Sequence, residues 1–263
     1  MELFKSFLWQ ILFTVGVIVI FGFIVALCRR GFSALLGRAG PVVLLITGIV
    51  GTPVHELSHA LTCLIFGHKI VEMRLYTPRG ETLGHVEHQY NPKNLYHQIG
   101  NFFIGIAPIL GGSGVLLLLM RFMVPEVFSS VWAEIATGAE ASSVGEFFGV
   151  AWRVFLSIFD LSNAGNGWWW AFVVLALMIA GHMELSGADI KGGIWGLLII
   201  LLLVLAIDAL IYFIYRPALA AVTSVMTSAG LALLSFLLIS GVFSLILLAI
   251  ALLIKGICLI FGR

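Results

Sequence analysis

Residues 51–67, "GTPVHELSHALTCLIFG", set His55, Glu56 and His59 in a stretch whose other side chains suit a helix crossing a bilayer. An ionisable residue at the centre of such a helix costs about 2.5–3.5 kcal/mol on insertion scales, and there it is functional by default. The surrounding chain fits that setting. Of its 263 residues, 61% are hydrophobic and 10% are charged, with a mean hydropathy of +1.12. Soluble domains carry roughly 25% charged residues, so this chain has too little polar surface to face water on all sides. The composition implies an all-α polytopic membrane protein, one membrane-embedded domain over residues 1–263. A formal net charge of +1 gives no ground for a nucleic-acid partner. The expected surroundings are the lipid bilayer, which in a prokaryotic cell means the cell (inner) membrane.

A spanning helix needs about 20 mostly apolar residues. Working outward from the quoted stretch, this length predicts spans over residues 7–28, 41–66, 99–123, 168–183, 193–215 and 227–256. Six spans is the central expectation, or seven if residues 218–262 cross twice. The first apolar run is longer than a secretory signal core and ends in Arg29-Arg30 without a small-residue cleavage site, so it reads as a retained span. Between spans two and three, residues 69–90 alternate apolar and polar around Pro78-Arg79-Gly80, the pattern of a β-hairpin. Residues 125–166 carry Glu126, Glu134, Glu140, Glu146 and Asp160 with short amphipathic runs, as in a segment lying on the membrane surface. Basic residues do not fix the orientation, because Arg29, Arg30 and Arg38 lie in one loop and Lys69, Arg74, Arg79 and Lys93 in the next, on the opposite side. Cys28, Cys63 and Cys258 are far apart and read as small membrane-facing residues, with no disulfide framework.

His55 and His59 are four apart, so on a helix both imidazoles project from one face and can reach one metal ion. Glu56 stands beside them, where it can address a water held on that ion. H-E-x-x-H on a helix is the zinc-hydrolase pattern, with the glutamate as general base. Thr52 and Pro53 resemble an N-cap followed by proline at the first helical position, which would start the helix within the membrane, after a half-span or bend at residues 41–51. The competing reading, a hydrogen-bonded polar cluster between helices, is disfavoured by the insertion cost. Catalytic zinc usually has three protein ligands, and "GHMELSGADIKGG", residues 181–193, offers the third. Asp189 ranks first, then Glu184, then His182; Gly187, Gly192 and Gly193 would permit a helix break near Asp189. Otherwise Asp189 is an interfacial carboxylate near Lys191. His85 and His88 should point to opposite faces of a strand, and His68 and His97 read as interfacial polar residues. Asp208, alone in an apolar span, either pairs with another helix or lines a polar cavity.

With these residues in place, the sequence resembles the site-2 protease class of intramembrane zinc metalloproteases. The resemblance rests on "HELSHALTCLIFGHKI", on the glycine-proline span "IAPILGGSGVLLLL", and on "LSGADIKGG", which is similar to the family's aspartate-glycine motif. It covers roughly residues 40–120 and 180–195. It implies His55, His59 and Asp189 as Zn2+ ligands, Glu56 as the base, and a membrane-protein or membrane-peptide substrate cut within or near the bilayer. The chain departs from the family pattern at Ser58, where glycine is common, at Gly111-Gly112, near the family's asparagine, and at Asp189-Ile190-Lys191-Gly192, where the aspartate-glycine pair is interrupted. Two other expectations stand beside it. One is a CAAX-type membrane zinc protease using Glu184, and the other a non-catalytic metal-binding membrane scaffold.

Overall fold

The computed structural model describes residues 2–80, 82–139 and 144–260. Glu81, within the expected hairpin, and Glu140, within the expected surface segment, lie outside the described residues. The described chain is almost entirely helical, with one small two-stranded sheet. Helix α1 (Glu2–Ile11) passes through a π-helical turn at Leu12–Gly16 into α2 (Val17–Leu36). Gly37 ends α2 with a φ of 52°, a left-handed conformation open to glycine without the usual steric cost. A short 3-10 turn then leads into α3 (Gly40–Ile65), which carries Pro41 in its first turn.

The H-E-x-x-H motif lies in the second half of α3. The expected helix start at Thr52-Pro53 does not occur, since α3 runs unbroken through both residues and Pro53 is internal. A proline there lacks the N–H that would return to the carbonyl four residues back, and its ring crowds that carbonyl. Packing against neighbouring helices tolerates that loss in apolar helices.

Strands β1 (Lys69–Arg74) and β2 (His85–Gln89) pair antiparallel, as the alternation predicts, with a register shift between Ile70 and Glu72. Helix α4 (Leu95–Met123) follows, capped by Asn94, whose side chain accepts from the Tyr96 N–H at 2.9 Å. Helices α5 (Pro125–Ala139) and α6 (Val144–Ile158) carry the expected amphipathic pattern. Val127, Val131 and Ile135 on one, and Val150, Val154 and Ile158 on the other, recur at helical spacing and are buried in the core. Helices α7 (Gly167–Ala180), α8 (Gly187–Ile214) and α9 (Arg216–Ile260) complete the chain.

Among the described residues, four helical stretches are long and apolar enough to cross a bilayer: Glu2–Ile65, Leu95–Met123, Gly187–Ile214 and Arg216–Ile260. The expected span at 168–183 is the shorter α7, of 14 residues and so about 21 Å long. Residues 216–260 form one uninterrupted helix, with neither an interfacial helix set apart from a span nor a turn at which the chain could cross twice. Asp208 pairs with another helix. It is 1% exposed, and Gln10 Nε2 of α1 lies 3.0 and 3.1 Å from its two carboxylate oxygens.

Helix α4 is central, touching α3, α7, α8 and α9. Its Ile109, Leu116 and Met120 are fully buried with Phe172 of α7 and Phe243 of α9. Where lipid replaces water, helices associate through close packing at small residues, and the α4–α8 seam does so. A Cβ at Gly196 would collide with the Gln98 carbonyl and lie 2.9 Å from the Phe102 nitrogen, both backbone atoms of α4. Gly196→Ala should therefore cost about 1–3 kcal/mol by overpacking and lower the thermal midpoint in detergent. Gly192→Ala is the control, because a Cβ there meets nothing within 4 Å; equal midpoints for the two variants would refute this account of the seam.

Candidate metal centre and its cavity

The helical spacing of His55 and His59 brings their Nε2 atoms to 3.2 Å. Each ring is oriented by the main chain. His55 Nδ1 is 2.6 Å from the His182 carbonyl oxygen, and His59 Nδ1 is 2.7 Å from the Ile104 carbonyl oxygen. A carbonyl oxygen only accepts, so both Nδ1 atoms carry the proton and, in the neutral rings, both Nε2 atoms present lone pairs. Two lone pairs then face each other with no proton between them.

Asp189 adds a third acceptor. Its Oδ1 lies 3.4 Å from His59 Nε2, and one donor atom from each of His55, His59 and Asp189 falls within 4.8 Å of the others. Three electron-pair donors converging in a largely buried place could hold a cation between them, and two imidazoles with a carboxylate are a donor set that suits zinc. The residues present therefore fit a divalent metal. The hydrogen bonds from both Nδ1–H groups are the outer-shell contacts that fix such ligands.

Asp189 is held by the start of α8. It is the third residue of the helix, and its Oδ2 accepts from the Ser186 N–H at 2.7 Å while Ser186 Oγ accepts from the Asp189 N–H at 3.1 Å. This reciprocal capping box occupies one carboxylate oxygen and leaves the other towards His59. The helix break near Asp189 falls at residues 181–186, between α7 and α8, and ends at Gly187; Gly192 and Gly193 lie within α8. Close approach does occur, with the Asp189 carbonyl oxygen 2.7 Å from where a Cβ on Gly105 of α4 would stand.

No family model, curated protein or solved structure matches the chain.

The other two candidates for third ligand stand apart from this triad. The His182 ring is held by Thr47 Oγ1 at 2.9 Å and Thr52 Oγ1 at 3.4 Å, so its service to the site is its carbonyl oxygen. Glu184 forms an ion pair with Arg29. Both line a cavity of about 360 Å³ with Arg29, Thr52, His55, Glu56, Thr82, Leu83, Gly84 and Ser186. Arg29, expected in a loop, lies within α2 instead. Nothing in its sequence context separated it from Arg30; only the fold aims it at Glu184.

Glu56 is 6% exposed and sits under the hairpin tip. A Cβ on Gly84 would be 2.8 Å from Glu56 Cγ and 2.7 Å from Thr52 Cγ2, so glycine is what lets the tip lie on the motif. Gly84→Val is expected to lift the tip and speed amide exchange across His85–Gln89. Exchange equal to wild type would refute the contact. Ser58 and Gly111 meet face to face: a Cβ on Gly111 of α4 would overlap the Ser58 side chain of α3.

Sequence reasoning missed a second cluster. Cys63 does not face the membrane; it is fully buried and grouped with His68 and His88. Burial holds the imidazoles of His68 and His88 below the ordinary histidine range, and the nearby positive charge of a protonated neighbouring imidazole pushes the same way. His85 and His88 do point apart, His85 to the half-buried Glu72 at 3.5 Å and His88 to His68. The available signal was Cys63 itself, four residues beyond His59 on the same helical stripe.

Proposed function

We propose that the chain is an intramembrane zinc metalloprotease that hydrolyses a peptide bond of a membrane protein within or near the bilayer. The observation that carries this reading is the convergence of the His55 and His59 lone pairs with Asp189 beside a cavity lined by Glu56. His55, His59 and Asp189 would hold the ion. A bound zinc supplies a Lewis acid that polarises a carbonyl and lowers the pKa of water towards 7. Glu56 accepts the proton of the attacking water on a carboxylate oxygen and returns it to the leaving amine nitrogen. The water oxygen bonds to the carbonyl carbon as Glu56 takes the proton, and the carbon–nitrogen bond breaks as Glu56 gives that proton to the amine, so one water is consumed and Glu56 ends as the carboxylate it began as.

A helix hides its backbone in its own hydrogen bonds, so a substrate must enter extended. The β1–β2 hairpin offers an edge for adding such a strand, and its tip, at Thr82, Leu83 and Gly84, already lines the cavity. The topology that goes with this reading has six crossings, using the α1–α2 stretch, α3, α4, α7, α8 and α9. The large apolar side chains exposed along these helices, such as Ile20, Leu64, Leu202 and Leu253, are compatible with lipid contact.

The reading is tested by purifying the full chain in detergent or bilayers, measuring bound zinc, and incubating it with a panel of single-span membrane peptides. Cleavage by the wild type that disappears on zinc removal and returns on re-addition supports it. A zinc-loaded chain inert to every peptide would favour the scaffold reading. The CAAX-type alternative needs Glu184 as a ligand, and the pairing of Glu184 with Arg29 counts against it.

A further inference from the structure

One turn beyond His59 on α3, a different set of metal-ligating side chains stands outside the site described above. Cys63, His68 and His88 each bring one donor atom within 4.8 Å of the others. They arrive from three directions. Cys63 belongs to the last turns of α3. Gly67, with a φ of 70°, turns the chain back so that the His68 N–H donates to the Cys63 carbonyl at 2.8 Å. His88 comes from β2, paired opposite Ile70 of β1.

Of the two imidazoles, His68 has its tautomer fixed by the main chain. His68 Nε2 is 3.0 Å from the His97 carbonyl oxygen and so donates to it, leaving the His68 Nδ1 lone pair free. That atom faces His88 Nδ1 at 3.0 Å. The Tyr90 ring stacks on His68 with centroids 5.1 Å apart and fixes its plane. Cys63 and His68 are 0% and 3% exposed, so the thiol and the oriented imidazole are withdrawn from bulk solvent.

We propose that Cys63, His68 and His88 form a second metal site, for a zinc-class divalent ion, which fastens the hairpin to the end of α3. One thiolate with two imidazoles is a borderline-soft donor set suited to zinc rather than to magnesium or calcium. Three protein ligands leave a position for one more, such as water. The site ties β2 to the helix that carries His55, Glu56 and His59, and the same hairpin's tip lies on Glu56. Metal at its base therefore sets the height of the roof over the cavity. The proposal does not depend on the chain being a protease.

The test loads metal-stripped full-length protein with cobalt(II). At His55, His59 and Asp189 the donors are nitrogen and oxygen, whereas coordination by Cys63 adds an intense near-ultraviolet thiolate-to-cobalt absorption. The wild type should bind two cobalt ions per chain and show that band. Cys63→Ser, a near-isosteric change, should lose the band and one equivalent; His88→Ala should do the same if the serine variant folds poorly. Asp189→Asn should lose or weaken the other equivalent and keep the band. A wild type without the thiolate band, or a band that survives Cys63→Ser, overturns the proposal. Loss of the nitrogen–oxygen equivalent alone would count against the first site and leave the second standing.

Discussion

Glu56→Gln is expected to leave the metal at His55, His59 and Asp189 fully bound while peptide-bond cleavage falls about 10²–10⁴-fold, the range typical of losing a general acid–base group. Glutamine keeps the size of the side chain, so the close approach of Gly84 to residue 56 survives. What is lost is the capacity to take a proton and give it back. The measurement pairs zinc content by atomic emission with the cleavage rate of the wild type's best peptide. Undiminished cleavage would remove Glu56 from the chemistry, and loss of zinc would show that it serves binding instead.

Asp189→Ala is expected to release the first-site metal, since it deletes the one anionic donor beside two neutral imidazoles. Ser186→Ala should be milder. It removes the Oγ that accepts from the Asp189 N–H and leaves the Ser186 N–H in place for the carboxylate. Outer-shell substitutions of this kind typically weaken metal affinity about 10–100-fold. Glu184→Ala should leave metal content unchanged, because Glu184 is engaged with Arg29. Metal lost from Glu184→Ala and retained by Asp189→Ala would reverse the assignment and favour the CAAX-type reading.

The motif was legible because two histidines at helical spacing are a local fact, and scarcity of charge pointed to residues 181–193 for the third donor. Asp189 could be ranked ahead of Glu184 and His182, but its pairing with Ser186 depends on where α8 begins. The hairpin was legible from its alternation. The Cys63, His68 and His88 cluster was not. It needs a helix end, a glycine turn and a strand register to coincide, and a cysteine in an apolar run looks like any small side chain. Arg29 was misplaced because hydropathy ends a span at the first arginine pair, whereas the helix continues to Leu36 and gives the guanidinium a partner in Glu184. Thr52-Pro53 misled in the opposite direction. Their residue types favour a helix start, and tertiary packing carried α3 straight through.

Both histidines of the first site lean on main-chain oxygens, of His182 and of Ile104. A backbone acceptor has no codon of its own. Substitutions such as His182→Gln or Ile104→Val change the side chain and keep the carbonyl, so they are expected to retain metal. A carboxylate partner in the same place would be lost in a single step. The orientation of the two ligands is thus insulated from point mutation and answers instead to anything that shifts α4 or the 181–186 turn as a body. Variation can accumulate at those two positions without disarming the site.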